Sequence, residues 1–251
     1  MKVSIVTISY NASSSIRTCI ESVLNQDYPD IEYIIVDGGS SDDTMEIVQE
    51  YADKISHISS ESDEGIYDAM NKGMAKATGD IVAQLNADDF YASPDILSQV
   101  VEKFQSTGSD IVFGNLVYVP ADDLDKVVRY YTADQFKPED MLRGHMPPHP
   151  TFFVKRSLVD ICGPYRTDYA ICADFEWMVR LFHTHGATYT HLPEVMVKMR
   201  KGGVSTQGLK STLTINKEML QACRSNGLRT NLPMIYSKYL TKVFQLVKKP
   251  T

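Results

Sequence analysis

The chain has 251 residues, 43% of them apolar and 23% charged, as expected of a soluble globular protein large enough to bury a sizeable core. Its net charge of −7 hides an asymmetry: from Lys201 onward nine Lys/Arg stand against one acid, Glu218, so the acidic excess lies in residues 1–200. That acidic body argues against nucleic-acid binding. The four cysteines form no CxxC pair, and no apolar run reaches the ~20 residues of a spanning helix. A zinc ribbon, a redox motif and a transmembrane segment are thereby excluded. With a start too soon polar for a signal peptide, the expectation is a cytoplasmic protein.

Residues 3–8 are a β-branched run and open the chain as a strand. Ile16, Cys19, Ile20, Val23 and Leu24 recur at helical spacing and form the first amphipathic helix, which ends before Pro29. Residues 33–36 are the second strand, closing on Asp37-Gly38-Gly39-Ser40. Asp42 and Asp43 then open a helix whose inner face is Thr44, Ile47, Val48 and Tyr51. A weaker strand at 55–59 precedes a helix over 65–77. Its face of Ile66, Ala69, Met70 and Gly73 is small enough to pack closely on a sheet or a ligand. Residues 81–85 are a buried strand running into Asn86-Ala87-Asp88-Asp89, and Leu97, Val100, Val101 and Phe104 mark the next helix. Four β–α alternations in 105 residues predict a mostly parallel sheet flanked by helices.

The pattern changes after Asp110. Residues 111–119 read as a strand, 120–125 as an acidic loop and 141–150 as an irregular proline- and histidine-rich loop. Strand 151–154, helix 173–183 and one or two strands in 188–199 follow. Helices at 211–221 and 232–246 complete the chain.

Ligands of open α/β sheets bind beyond the carboxyl ends of the strands, where this chain places Asp37 and the pair Asp88-Asp89. Paired carboxylates there suit a divalent cation on phosphate oxygens, or a helix cap. Asp37 suits a nucleoside hydroxyl or base N–H, or a turn. No G-x-G-x-x-G separates the first strand from its helix, so a dinucleotide fingerprint is absent. A nucleotide site without a glycine loop remains.

The motifs VSIVTISYN (3–11), IIVDGGSSDDT (34–44), DEGIYDAMNKGMAKAT (63–78) with GDIVAQLNADD, and AICADFEWMVRL (170–181) resemble those of family 2 glycosyltransferases, in matching order over roughly residues 1–205. The resemblance implies the GT-A fold, with 1–110 as the nucleotide-sugar half, 111–205 as the acceptor and catalytic half, and 206–251 as a basic helical extension. It also implies that Thr7 and Tyr10 flank the base, Asp37 hydrogen-bonds it, Asp88 contacts the ribose and Asp89 binds magnesium or manganese. Asp63 and Lys72 join the donor contacts. The chain departs from the family at Met70, where an arginine is common, which leaves Lys72 as the candidate diphosphate contact from that helix.

A wheel at about 100° per residue over 174–183 puts Glu176, Arg180 and His183 opposite an apolar arc, and makes Glu176 and Arg180 a solvated i, i+4 pair. Asp174 falls inside the apolar arc, as a cap or as a partly desolvated functional group. The resemblance makes it the catalytic base. His145 and His149 have helical spacing, but Pro147, Pro148 and Pro150 forbid the helix, so their loop reads as an acceptor-side wall or a crossover. Arg200, Lys201, Gly202 and Gly203 form a basic turn or a loop closing on the diphosphate. Residues 236–249 mix Tyr, Leu, Val and Phe with four lysines, as a helix lying on an anionic membrane surface or packed on the domain.

The resulting expectation is an inverting transferase moving sugar from a UDP-sugar to a glycan or lipid-linked acceptor, peripheral on the inner face of the cell membrane. A nucleotidyltransferase and a non-catalytic sugar-nucleotide module are the rival classes.

Overall fold

The computed structural model describes residues 1–202 and 208–239. Among them nine strands form one sheet: β1 (Val3–Ser9), β2 (Ile31–Asp37), β3 (His57–Ser60), β4 (Ile81–Gln84), β5 (Asp89–Tyr91), β6 (Ile111–Val119), β7 (Arg129–Tyr131), β8 (Phe153–Lys155) and β9 (Tyr189–Arg200). The order is β3-β2-β1-β4-β8-β6-β9-β5, with β7 also on β6. The first four strands of that order are parallel. β8 then enters antiparallel to both β4 and β6, so the second half is mixed. Short βα connections enforce parallel pairing up to β4; beyond it, long irregular segments remove the constraint.

Both faces of the sheet are covered. Val3 and Ile5 pack with α1 (Ile16–Leu24), α2 (Thr44–Gln49) and α4 (Ile96–Thr107). Val6 and Ile8 belong to the opposite layer, with α3 (Ile66–Lys76), α5 (Arg156–Cys162), α6 (Ala173–Val179) and α7 (Gly208–Ser225). The strand period of two divides β1 between the layers. α8 (Leu232–Tyr236) packs on α7 and buries Ile235.

The expected close approach of α3 is made to the sheet. A Cβ on Gly73 would lie 2.2 Å from Val6 Cγ1 and 3.4 Å from Val36 Cγ2. Gly73→Ala is therefore expected to destabilise the fold by about 1–3 kcal/mol; an unchanged urea midpoint would show that α3 can move away freely. Met70 is buried in the same layer, so its place in the chain is explained by packing. Ile66, expected on the inner face, is instead 42% exposed because Tyr67 takes the inward position in the first turn.

Two further expectations change. Asp89 is not the end of β4 but the first residue of β5, drawn into the sheet by pairing with Met199 of β9. Glu176 is buried rather than solvated, because α7 and the turn after α5 cover that face: its carboxylate takes Arg180 Nε at 3.0 Å and Asn226 Nδ2 at 3.2 Å. In the segment expected on an anionic membrane surface or packed on the domain, Lys238 is buried with its ammonium 2.9 Å from Met219 Sδ. Tyr239 OH accepts from Asn216 Nδ2 at 3.0 Å, so residues 236–239 pack on α7. Gly203 and the tail from residue 240 lie outside the described residues. No helix among the described residues is long and apolar enough to cross a membrane.

Candidate active site

The parallel half brings the strand ends to one edge. The β1–β4 ladder continues past β4, with Leu85 N–H bonded to Val6 O at 3.0 Å and Ala87 N–H to Ile8 O at 3.2 Å. Asp88 thus follows beside the end of β1, where Ser9 pairs in register with Asp37.

Asp37 is fully buried and saturated. It accepts from Ser9 Oγ at 3.0 Å, Ser60 Oγ at 2.7 Å, and the N–H groups of Gly39 and Ser40 at 3.1 and 2.9 Å. Burial raises its carboxyl, but these hydrogen bonds outweigh it and hold the pKa below the usual range. Asp37 here braces the loop that follows β2 and ties it to β1 and β3. The groups beside it are Tyr10, exposed at 67%, and the half-buried Asp63. Both meet over Gly38: a Cβ there would sit 2.4 Å from Asp63 Oδ2 and 3.5 Å from Tyr10 Cδ2. Asn11 adopts a left-handed φ of 47°, and its carbonyl oxygen Oδ1 accepts from Ser41 N–H at 2.9 Å, which fixes the turn carrying Tyr10.

Thr7 lies in the other layer from Tyr10 and Asp63. It faces α1, is fully buried, and its hydroxyl pairs with Tyr33 OH at 3.1 Å; the odd positions of β1 all point to that layer. Lys72 is ion-paired with Glu61 and Asp68 at 3.1 Å each, which ties it to the loop before α3.

The acidic pair is only partly neutralised. Asp89 is fully buried and neither carboxylate oxygen has a hydrogen-bond partner. Burial and then the neighbouring Asp88 push its carboxyl well above the normal range, with Arg200 opposing. Asp88, half-buried, is raised by burial as well. Arg200 is not on a mobile turn. It ends β9, is 8% exposed, donates to Asp88 O at 2.7 Å and lies 4.9 Å over the Phe90 ring. Lys201 beyond it is exposed, with its N–H on Val119 O.

Two orphaned carboxylate oxygens, with the buried and equally unpartnered Asn86 Oδ1 nearby in sequence, make an all-oxygen donor set fit for magnesium or manganese. No three His, Cys, Asp or Glu side chains cluster among the described residues. Such an ion would therefore take its remaining ligands from a diphosphate and water, as hard divalent cations do.

Asp174 is brought to this side of the molecule by α3. Tyr67 donates its hydroxyl to Ile171 O, and Asn71 exchanges two 2.8 Å bonds with the backbone of Tyr165. Asp174 is half-buried at the start of α6 and accepts Phe175 N–H at 2.8 Å. Burial lifts its carboxyl above the ordinary value; His149, the local N–H groups and Tyr67 pull the other way. His149 lies in the proline-rich loop, 3.1 Å from Tyr165 OH, and Tyr165 packs 4.8 Å from Trp177. Gln84, at the end of β4, is buried with an unpartnered amide and lines a small cavity with Met74, His149, Tyr165 and Trp177. Gln84, Met74 and Trp177 sit on the expected strand and helices, whereas Tyr165 and His149 are brought in by irregular segments.

The family model for glycosyl transferase family 2 matches residues 4–161, more than half of the chain. The chain belongs to glycosyl transferase family 2. A PGL/p-HBAD biosynthesis glycosyltransferase of Mycobacterium bovis is 28% identical to this transferase over 222 residues, covering 87% of this chain and 82% of the relative. The structure of S. aureus TarS 1–349 with UDP-GlcNAc superposes with a TM-score of 0.72 at 18% identity, over 97% of this chain and 73% of that one. The mannosyltransferase PcManGT from Pyrobaculum calidifontis, with GDP-Man and Mn2+, gives 0.66 at 18% identity, over 98% and 72%. These likenesses confirm the GT-A fold, and the family makes the chain a glycosyltransferase.

Proposed function

We propose that this transferase is inverting and metal-dependent, and that it uses a UDP-sugar. The nucleobase rests at Tyr10, Gly38 and Asp63, and the ribose at Asp88. A magnesium or manganese ion held by Asp89 would supply positive charge for the departing diphosphate. Asp174 takes the proton of the acceptor hydroxyl as its oxygen bonds to the anomeric carbon. The bond from that carbon to the phosphate oxygen breaks with its electron pair leaving on UDP, so an α-linked donor yields a β-glycoside. The observation that carries this reading is the division of labour between carboxyls: Asp89 is orphaned at the donor strand ends, and Asp174 has a raised pKa among Tyr67, His149 and Tyr165.

We assign a lipid-linked glycan as acceptor, which would place the enzyme at the inner face of the cell membrane. The basic residues from Lys201 onward, the buried Lys238 aside, support it.

A thermal-shift screen of nucleotide-sugars with manganese tests the reading. A UDP-sugar at about 100 times its Kd is expected to raise the midpoint by about 5–10 °C. Proton NMR of the product should then show inversion at the anomeric carbon. A product of retained configuration, or stabilisation by GDP-mannose alone, would overturn it.

A further inference from the structure

After Lys201 the chain has one acid, Glu218, and it is spent on the loop that carries Asp174. From the middle of α7, Glu218 Oε1 accepts the N–H of Ala170 at 2.8 Å. Its Oε2 accepts those of Ile171 and Cys172 at 3.0 and 2.9 Å. Three successive amides thus converge on one carboxylate. α6 has no cap of its own, since its N-cap residue Cys172 makes no side-chain cap bond. The clamp is completed from the other side by Tyr67, whose hydroxyl holds Ile171 O. Charge-assisted bonds of this kind are short and directional. Because Asp174 is itself bonded to Phe175 N–H, its carboxylate moves with the α6 backbone.

We propose that Glu218 is a positioning residue for Asp174, so that the C-terminal extension is part of the catalytic apparatus. The proposal rests on the reading of Asp174 as the base. A carboxylate that merely held α7 against α6 would need one bond, and buried side chains such as Met219, Ala222 and Cys223 already supply that packing. Three bonds to consecutive amides fix the orientation of the chain entering α6, to which a base is sensitive: a misplacement of about 1 Å can cost about 100-fold in rate.

The test uses the full chain with Glu218→Ala and Glu218→Gln. Turnover is read as nucleoside diphosphate release from UDP-GlcNAc, UDP-glucose or GDP-mannose, whichever the wild type uses, with hydrogen exchange followed over residues 168–179. Glu218→Ala is expected to lower kcat by about 100-fold with donor KM within about twofold, and to speed exchange at 170–172. Glu218→Gln, which keeps an acceptor oxygen, should recover about tenfold of that loss. Normal kcat in Glu218→Ala overturns the proposal, as does a loss in which kcat, KM and melting midpoint all deteriorate together. Unchanged exchange at 170–172 overturns it whether or not a donor is found. Asp174→Asn runs alongside: if it retains turnover, the base assignment has failed, whereas a dead Asp174→Asn with a normal Glu218→Ala sinks the positioning role alone.

Discussion

Asp174→Asn is expected to bind UDP with manganese as the wild type does and to transfer sugar about 1000-fold more slowly. Asparagine keeps the shape and can still accept Phe175 N–H at its carbonyl oxygen, but it cannot take a proton from the attacking hydroxyl. Calorimetry and steady-state kinetics on the same preparation separate the two effects. The pH profile sharpens the result. A base must be ionised, and burial raises the Asp174 carboxyl, so the acid limb of kcat/KM should lie above the ordinary range of aspartate. The stability effect has the opposite sign. A carboxyl with a raised folded pKa contributes stability that is complete below its unfolded value near 3.8 and is lost as pH rises through the folded pKa. Asp174→Asn should therefore gain stability relative to wild type only on the high-pH side of that window. A variant that transfers sugar at near-normal rate would remove Asp174 from the mechanism.

Asp89→Asn should abolish the effect of manganese on UDP affinity and lower turnover by about 100-fold or more. Its second signature needs no substrate. Asp89 is buried with two unpartnered oxygens beside Asp88, and carrying charge there is unfavourable. The ion-free variant is expected to be more stable than wild type by about 1 kcal/mol or more, visible as a higher melting midpoint in chelator. If manganese still tightened UDP binding to Asp89→Asn, the ion would have to be held elsewhere.

How much of the site was legible depended on how local each signal was. The acidic groups at Asp37 and Asp88-Asp89 could be read because β–α alternation aligns parallel strands at one edge; the apolar arc around Asp174 left a cap or a functional group open, and only the resemblance implied a base. Thr7 and Asp37 show the limit. Both sit in the right motifs, yet Thr7 turns to the α1 layer and Asp37 spends its oxygens on Ser9, Ser60 and its own loop, while Tyr10 and Asp63 meet over Gly38. The sequence presents Arg200 as part of a basic turn or a loop closing on the diphosphate, since nothing local shows that β9 pairs with β5 and delivers it to Asp88 O. Glu176 was read as solvated because a wheel cannot see the covering helix.

The sequence by itself determined the alternating layers, the family and the acidic strand ends. These follow from periodicity and short-range spacing, which are written along the chain. Tertiary structure alone decided which carboxylates are spent on bracing and which stay unpartnered. It also decided what surrounds Asp174: Tyr67, His149 and Tyr165, with Glu218 gripping the three amides before α6. Those groups come from α3, two irregular loops and α7, and their convergence is fixed by packing between elements distant in sequence.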